Sequence, residues 1–115
     1  DPDAAYADRD GRLFIGTDGG QPDGLQDQLT VFDTTEKMGP GELPTPKRLF
    51  VGVNDDEITC WAQTPDQSTA MVNMQHPGNG NPAATNFPVV PADGATIPRD
   101  CTIVITKGDG GVVGS

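Results

Sequence analysis

Six short runs of apolar and β-branched residues recur along the chain, each closed by a cluster of turn residues. They are Arg12 to Thr17 (RLFIGT), Leu29 to Asp33 (LTVFD), Arg48 to Val53 (RLFVGV), Glu57 to Gln63 (EITCWAQ), Thr69 to Gln75 (TAMVNMQ) and Cys101 to Lys107 (CTIVITK). Alternation is cleanest in the last two. Ala70, Val72, Met74 and His76 share one face and Thr69, Met71, Asn73 and Gln75 the other, while Cys101, Ile103 and Ile105 oppose Thr102, Val104 and Thr106. A period of two over runs this short predicts strands and an all-β, antiparallel chain. Both faces carry apolar residues, which suits a sheet stacked between two others.

The punctuation is equally specific. Asp8-Arg9-Asp10-Gly11 and Thr64-Pro65-Asp66-Gln67 are turn signals, because Pro presets φ and Asp bonds the backbone ahead of it; the second predicts a hairpin between the fourth and fifth runs. Two long Pro/Gly-rich loops interrupt the pattern, Gly39 to Pro46 and Pro77 to Pro98. The latter exceeds an ordinary connection and is expected to serve function or packing. Arg12-Leu13-Phe14-Ile15-Gly16 and Arg48-Leu49-Phe50-Val51-Gly52 repeat one pattern 36 residues apart. A period near 40 is that of β-propeller blades, and the chain divides into approximate blades 8–53 and 54–111. A propeller needs at least roughly four blades, so about two make the chain a segment whose partners are the remaining blades or a homo-oligomer.

Composition agrees with a turn-rich β chain. Of 115 residues, 15 are Gly and 11 Pro, and the acidic residues are 14 Asp but only 3 Glu (Glu36, Glu42 and Glu57), which excludes a helical bundle. A net charge of -10, with Lys47-Arg48 the one basic pair, argues against a nucleic-acid partner. No apolar run reaches membrane-spanning length, and the first residues lack the charged and apolar regions of a signal peptide. Such an Asp-rich surface suits an exported protein meeting divalent cations, and equally a solvated acidic face. Cys60 and Cys101 have no zinc-binding spacing; within their apolar runs they read as buried free thiols or as a disulfide pair.

Two stretches could carry chemistry. Asn54-Asp55-Asp56-Glu57 opens the fourth run with three carboxylates, hard oxygen donors of the kind Ca²⁺ takes, and Glu57 sits at a strand boundary where one side chain can be aimed into a site. Met71 to Gly80 (MVNMQHPGNG) places His76, the only histidine, at a strand end. Its imidazole could ligate a metal or move a proton. Alternatively it continues the Ala70, Val72, Met74 face and bonds a backbone carbonyl. Asp55, Asp56 and His76 thus stand beside Glu57 as candidate ligands. Thr17-Asp18-Gly19-Gly20 and Gly108-Asp109-Gly110-Gly111 read as turns, and Trp61 as packing.

Taken in order, these elements resemble the PhoX-type alkaline phosphatases. The matching stretches are Asp8 to Gly19, Arg48 to Gly52, Glu57-Ile58-Thr59, Thr64-Pro65-Asp66, Val72 to Gly78 (with Asn-x-Gln-His-Pro-Gly the most specific), and Pro98-Arg99 followed by Thr102 to Lys107 and Asp109 to Gly111. The resemblance covers nearly the whole chain but only the C-terminal part of the family's sequence. It implies a β-propeller enzyme hydrolysing phosphate monoesters, exported by the twin-arginine route to the periplasm or beyond. It further implies a cofactor of calcium and iron, with Glu57 falling on a metal-ligating glutamate. Two departures stand out: Asp55 where active members carry a phosphate-gripping arginine, and Cys60 where a Gly usually follows Glu-x-Thr. They favour, as the alternative, a noncatalytic propeller or Ca²⁺-binding module. The isolated 115 residues are expected to be inactive.

Overall fold

The computed structural model describes residues 1–19 and 25–115. Its strands are β1 (Pro2–Ala7), β2 (Arg12–Thr17), β3 (Gln28–Asp33), β4 (Lys47–Val51), β5 (Glu57–Gln63), β6 (Thr69–Gln75) and β7 (Cys101–Thr106), with a single 3-10 turn at Pro77–Gly80. All neighbours pair antiparallel, in one sheet ordered β1-β2-β3-β4 and a second ordered β5-β6-β7. The chain is all-β, as the period-two runs require. No helix among the described residues is long and apolar enough to cross a membrane.

β1 has no counterpart among the expected runs. Its sequence, PDAAYA, is poor in β-branched residues and mostly exposed, so nothing in it alternates. Pairing with β2 creates it, together with the bond from the Asp1 amine to the Asp18 carbonyl at 2.9 Å. The third expected run stops at Val51 rather than Val53. Gly52 turns away, donating its N–H to the Asp27 carbonyl, and a Cβ there would collide with the Asp56 carboxylate. The two Arg-Leu-Phe copies form β2 and β4 of the same sheet, so their 36-residue separation is not a sheet-to-sheet spacing.

The sheets pack face to face. Phe14 and Ile58 are fully buried, and Phe14 stacks on Trp61 with ring centroids 4.1 Å apart, which makes Trp61 a packing residue. Where β2 crosses β5, a Cβ on Gly16 would collide with the Ile58 carbonyl oxygen, so only glycine permits this approach. The tail after β7 returns between the sheets. Val113 is buried there and donates its N–H to the Gln67 carbonyl.

The hairpin at Thr64–Gln67 forms as expected, with the Asp66 carboxylate accepting from the Thr64 and Ser68 hydroxyls. Among the described residues the first sheet packs on one face of β6 and β7; on the other, Val104 is 62% exposed. The cysteines depart from both sequence readings. They are unpaired, and neither is buried: Cys101 is half-covered, and Cys60 is exposed on a bulge of β5 at φ 55°.

Candidate metal centre

The site lies where the two sheets touch at one end. β2 ends at Thr17, and the next residue, Asp18, forms an isolated antiparallel bridge with Glu57, the first residue of β5. β6 ends at Gln75, and His76 then takes a left-handed conformation (φ 38°) instead of continuing the buried Ala70, Val72, Met74 face. Three bonds hold that turn: His76 N–H to Asp100 Oδ1 at 2.8 Å, Gly78 N–H to the Asn54 carbonyl at 2.6 Å, and His76 Nδ1 with the Asp55 carbonyl at 3.3 Å. The other ring nitrogen, Nε2, stands 3.3 Å from Glu57 Oε2. As a result, one ligand atom each of Asp18, Glu57 and His76 lie within 4.8 Å of one another.

The electrostatics are those of crowded acids with one base. Burial, the neighbouring Asp18 carboxylate and a hydrogen bond shared with Asp3 push the Glu57 carboxyl up, against the opposing pull of His76. Burial tends to lower the His76 imidazole, but the Asp55 carbonyl and the Glu57 carboxylate raise it above its ordinary value. Two carboxylates and an imidazole converging at this distance are a suitable donor set for a divalent cation.

Of the residues singled out from sequence, Glu57 and His76 meet here. Asp55 contributes its carbonyl, while Asp56 points elsewhere. The Asp56 side chain is buried, Oδ2 accepts the Val53 N–H at 3.1 Å, and Oδ1 has no partner among the described residues. Burial pushes its pKa up to about 6. In the sequence Asp18 belongs to a turn signal, Thr17-Asp18-Gly19-Gly20, of which Gly20 lies outside the described residues. Its one sequence signal is an acid at the end of an alternating run, and Asp3 had none, since β1 itself was not legible. A cavity of about 160 Å³ adjoins the trio, bordered by Asp18, Asp27, Asp55, Asp56 and His76, with no Lys or Arg among its described lining.

The described chain overlays the solved structure of Pseudomonas fluorescens PhoX in complex with vanadate, a transition state analogue, with a TM-score of 0.75 and 35% identity over 98% of its length. This chain is similar to PhoX. It spans only 19% of the PhoX chain, so the likeness is to a segment of that protein. Covering 98% of the chain, the likeness extends over both sheets. No family model and no curated protein matches the chain.

Proposed function

We propose that the chain is a C-terminal segment of a PhoX-like, metal-dependent phosphatase acting on phosphate monoesters outside the cytoplasm, in which Asp18, Glu57 and His76 hold part of the cofactor. The observation that carries this reading is the convergence of those three side chains at the junction of two sheets, in a chain 35% identical to a stretch of PhoX. Here the two sheets are neighbouring blades of a propeller that the rest of the protein completes.

Each residue has a definite task. Asp18 and Glu57 supply anionic oxygens from opposite sheets, so their separation depends on the Asp18–Glu57 bridge. The Asp55 carbonyl accepts a hydrogen bond from His76 Nδ1–H, which leaves the Nε2 lone pair directed at the site. Asp100 fixes the turn that carries the ring. The mixed set of carboxylates and imidazole suits iron, and calcium, which takes roughly 6–8 oxygens, fits the more acidic cavity alongside. Bound cations would polarise the phosphoryl oxygens and offset the charge developing on them. With Asp55, Asp56 and Asp27 around it and no basic side chain among its described lining, the cavity itself repels a phosphate, so substrate binding here depends on that positive charge.

The test is hydrolysis of p-nitrophenyl phosphate at alkaline pH by the full-length protein expressed with iron and calcium. Turnover that is abolished by chelation and by Glu57→Gln supports the reading, and an inactive, iron-free full-length protein overturns it. The acidic lining also supports a second reading, a Ca²⁺-binding module without turnover. That reading predicts calcium stabilisation in thermal melts with neither iron uptake nor hydrolysis.

A further inference from the structure

We propose that the long loop from Pro77 to Pro98 is a folded clamp that sets the position of the His76 imidazole, with Asn86 and Asn54 as its positioning residues. The Pro/Gly-rich sequence of this loop cannot form a strand, yet its path is closed. It leaves β6 at His76 and returns to β7 at Asp100, and these two residues are joined by the bond from the His76 N–H to Asp100 Oδ1. One side chain holds the interior. Asn86 is 3% exposed and employs its whole amide: Nδ2 donates to the Pro82 and Thr96 carbonyls at 3.0 and 2.9 Å, and Oδ1 accepts the Gly94 N–H at 2.9 Å. Those bonds draw together three points far apart along the loop, and the Arg99 N–H closes the return on the Phe87 carbonyl at 3.0 Å. A buried amide satisfied on both sides fixes one backbone path, because any other would leave its polar atoms without partners.

The loop bears directly on the turn that carries the ring. His76, Gly78, Asn79 and Gly80 all have positive φ, and two of them are not glycine. Such residues stay left-handed only where their surroundings hold them. Gly78 is buried, its N–H bonds the Asn54 carbonyl at 2.6 Å, and a Cβ on it would press on the side chains of Thr85 and Ala84. Asn54 also donates Nδ2 to the Ala84 carbonyl at 3.0 Å. A single residue therefore ties the loop and the His76 turn together, and it directly precedes Asp55, whose carbonyl bonds the imidazole, and lies three positions before Glu57. The contacts run without a gap from Asn86 through Ala84 and Thr85 to Gly78, and from there to His76 Nε2, 3.3 Å from Glu57 Oε2. Released from the clamp, His76 would relax toward the extended backbone that continues β6, and its ring would turn away from Glu57.

The inference rests on the metal-centre reading above, but not on turnover. It is tested in the full-length protein, stripped of metal and titrated with Co²⁺ alone, with binding followed by visible absorbance. Asn86→Ala and Asn54→Ala should each weaken Co²⁺ binding about tenfold, the usual cost of removing a group that orients a ligand. In a His76→Ala background neither should weaken it further, because the clamp acts through that residue. A purely structural role would lower the melting temperature and leave affinity unchanged, or weaken binding equally in both backgrounds, and either result overturns the proposal. So does a Co²⁺ affinity that His76→Ala does not alter. Should Asn86→Ala fail to fold, Asn54→Ala, a change outside the loop, carries the same comparison. A crystal structure of the metal-free, full-length Asn54→Ala protein supplies a readout without any cation: His76 Nε2 should be withdrawn from Glu57, and an intact contact overturns the clamp. Full-length protein that binds Co²⁺ through His76 and the clamp, yet takes up no iron and hydrolyses no phosphate ester, would sink the phosphatase reading and leave this one standing.

Discussion

His76 Nε2 lies 3.3 Å from Glu57 Oε2, although Glu57 opens β5 and His76 lies beyond the end of β6, reaching the glutamate only through a left-handed turn. Without metal this contact is an ion pair that favours the protonated imidazole, whose pKa stands above its ordinary value. A cation competes with that proton.

Metal binding by the chain should therefore strengthen as pH rises through the imidazole range and weaken below it, with proton release on binding. Titration calorimetry with Fe²⁺ under anaerobic conditions, in two buffers of different ionisation enthalpy, measures both. Glu57→Gln or Asp18→Asn should lower affinity about tenfold or more, since each removes one of three donors. Asp55→Ala should cost much less, because that residue contributes its carbonyl alone. Affinity indifferent to pH and to Glu57 would place the metal elsewhere.

Asp8 is the polar hub between the sheets. Its carboxylate accepts from the Arg12 backbone N–H at 2.9 Å, Arg12 Nε at 2.6 Å and Gln67 Nε2 at 3.1 Å. Burial alone would raise its pKa, but the bonds from Arg12 and Asp10 outweigh that and hold it below the ordinary carboxylate range. A lowered folded-state pKa means that this stabilisation is present above the unfolded-state pKa and is lost as pH falls. Asp8→Asn should cost on the order of 2 kcal/mol at pH 7 in urea unfolding, with the difference shrinking toward pH 3. A difference independent of pH would show that charge is not what Asp8 contributes.

Asp56 has the opposite sign. Its folded pKa of about 6 lies above the usual 3.8, so the native state binds the extra proton and stability falls as pH rises between those values. Two units correspond to on the order of 3 kcal/mol. In chelator, Asp56→Asn should stabilise the chain at pH 8 and have little effect at pH 4. Equal effects at both pH values would contradict the assignment of a buried, charged carboxylate.

Cys60 sits at φ 55°, a region that costs a non-glycine residue about 1–2 kcal/mol. The bulge explains why a small Gly fits after Glu-x-Thr. Cys60→Gly should raise stability by up to about 1 kcal/mol, the strain relieved less the extra freedom of the unfolded glycine. Conversely, Gly16→Ala should destabilise by about 1–3 kcal/mol, because its Cβ meets the Ile58 carbonyl, a backbone atom that cannot rotate away. Thermal and urea unfolding of both variants check the pair.

The sequence by itself determined what is local. Period-two runs marked six strands, Thr64 to Gln67 marked a hairpin, and the strand-end positions of Glu57 and His76 marked them as residues that could be aimed. Those features depend on side-chain alternation and turn chemistry within a few residues. Only the tertiary structure decided which strand ends meet. Asp18 joins Glu57 because β2 and β5 cross at Gly16 and Ile58, a contact between sheets that no short-range pattern encodes. It likewise separated three consecutive acids that look equivalent in sequence, turning Asp56 into the space left by Gly52 and Glu57 toward the histidine. β1 exists only because β2 offers it an edge, and the burial of Val113 only because the sheets leave a gap to fill.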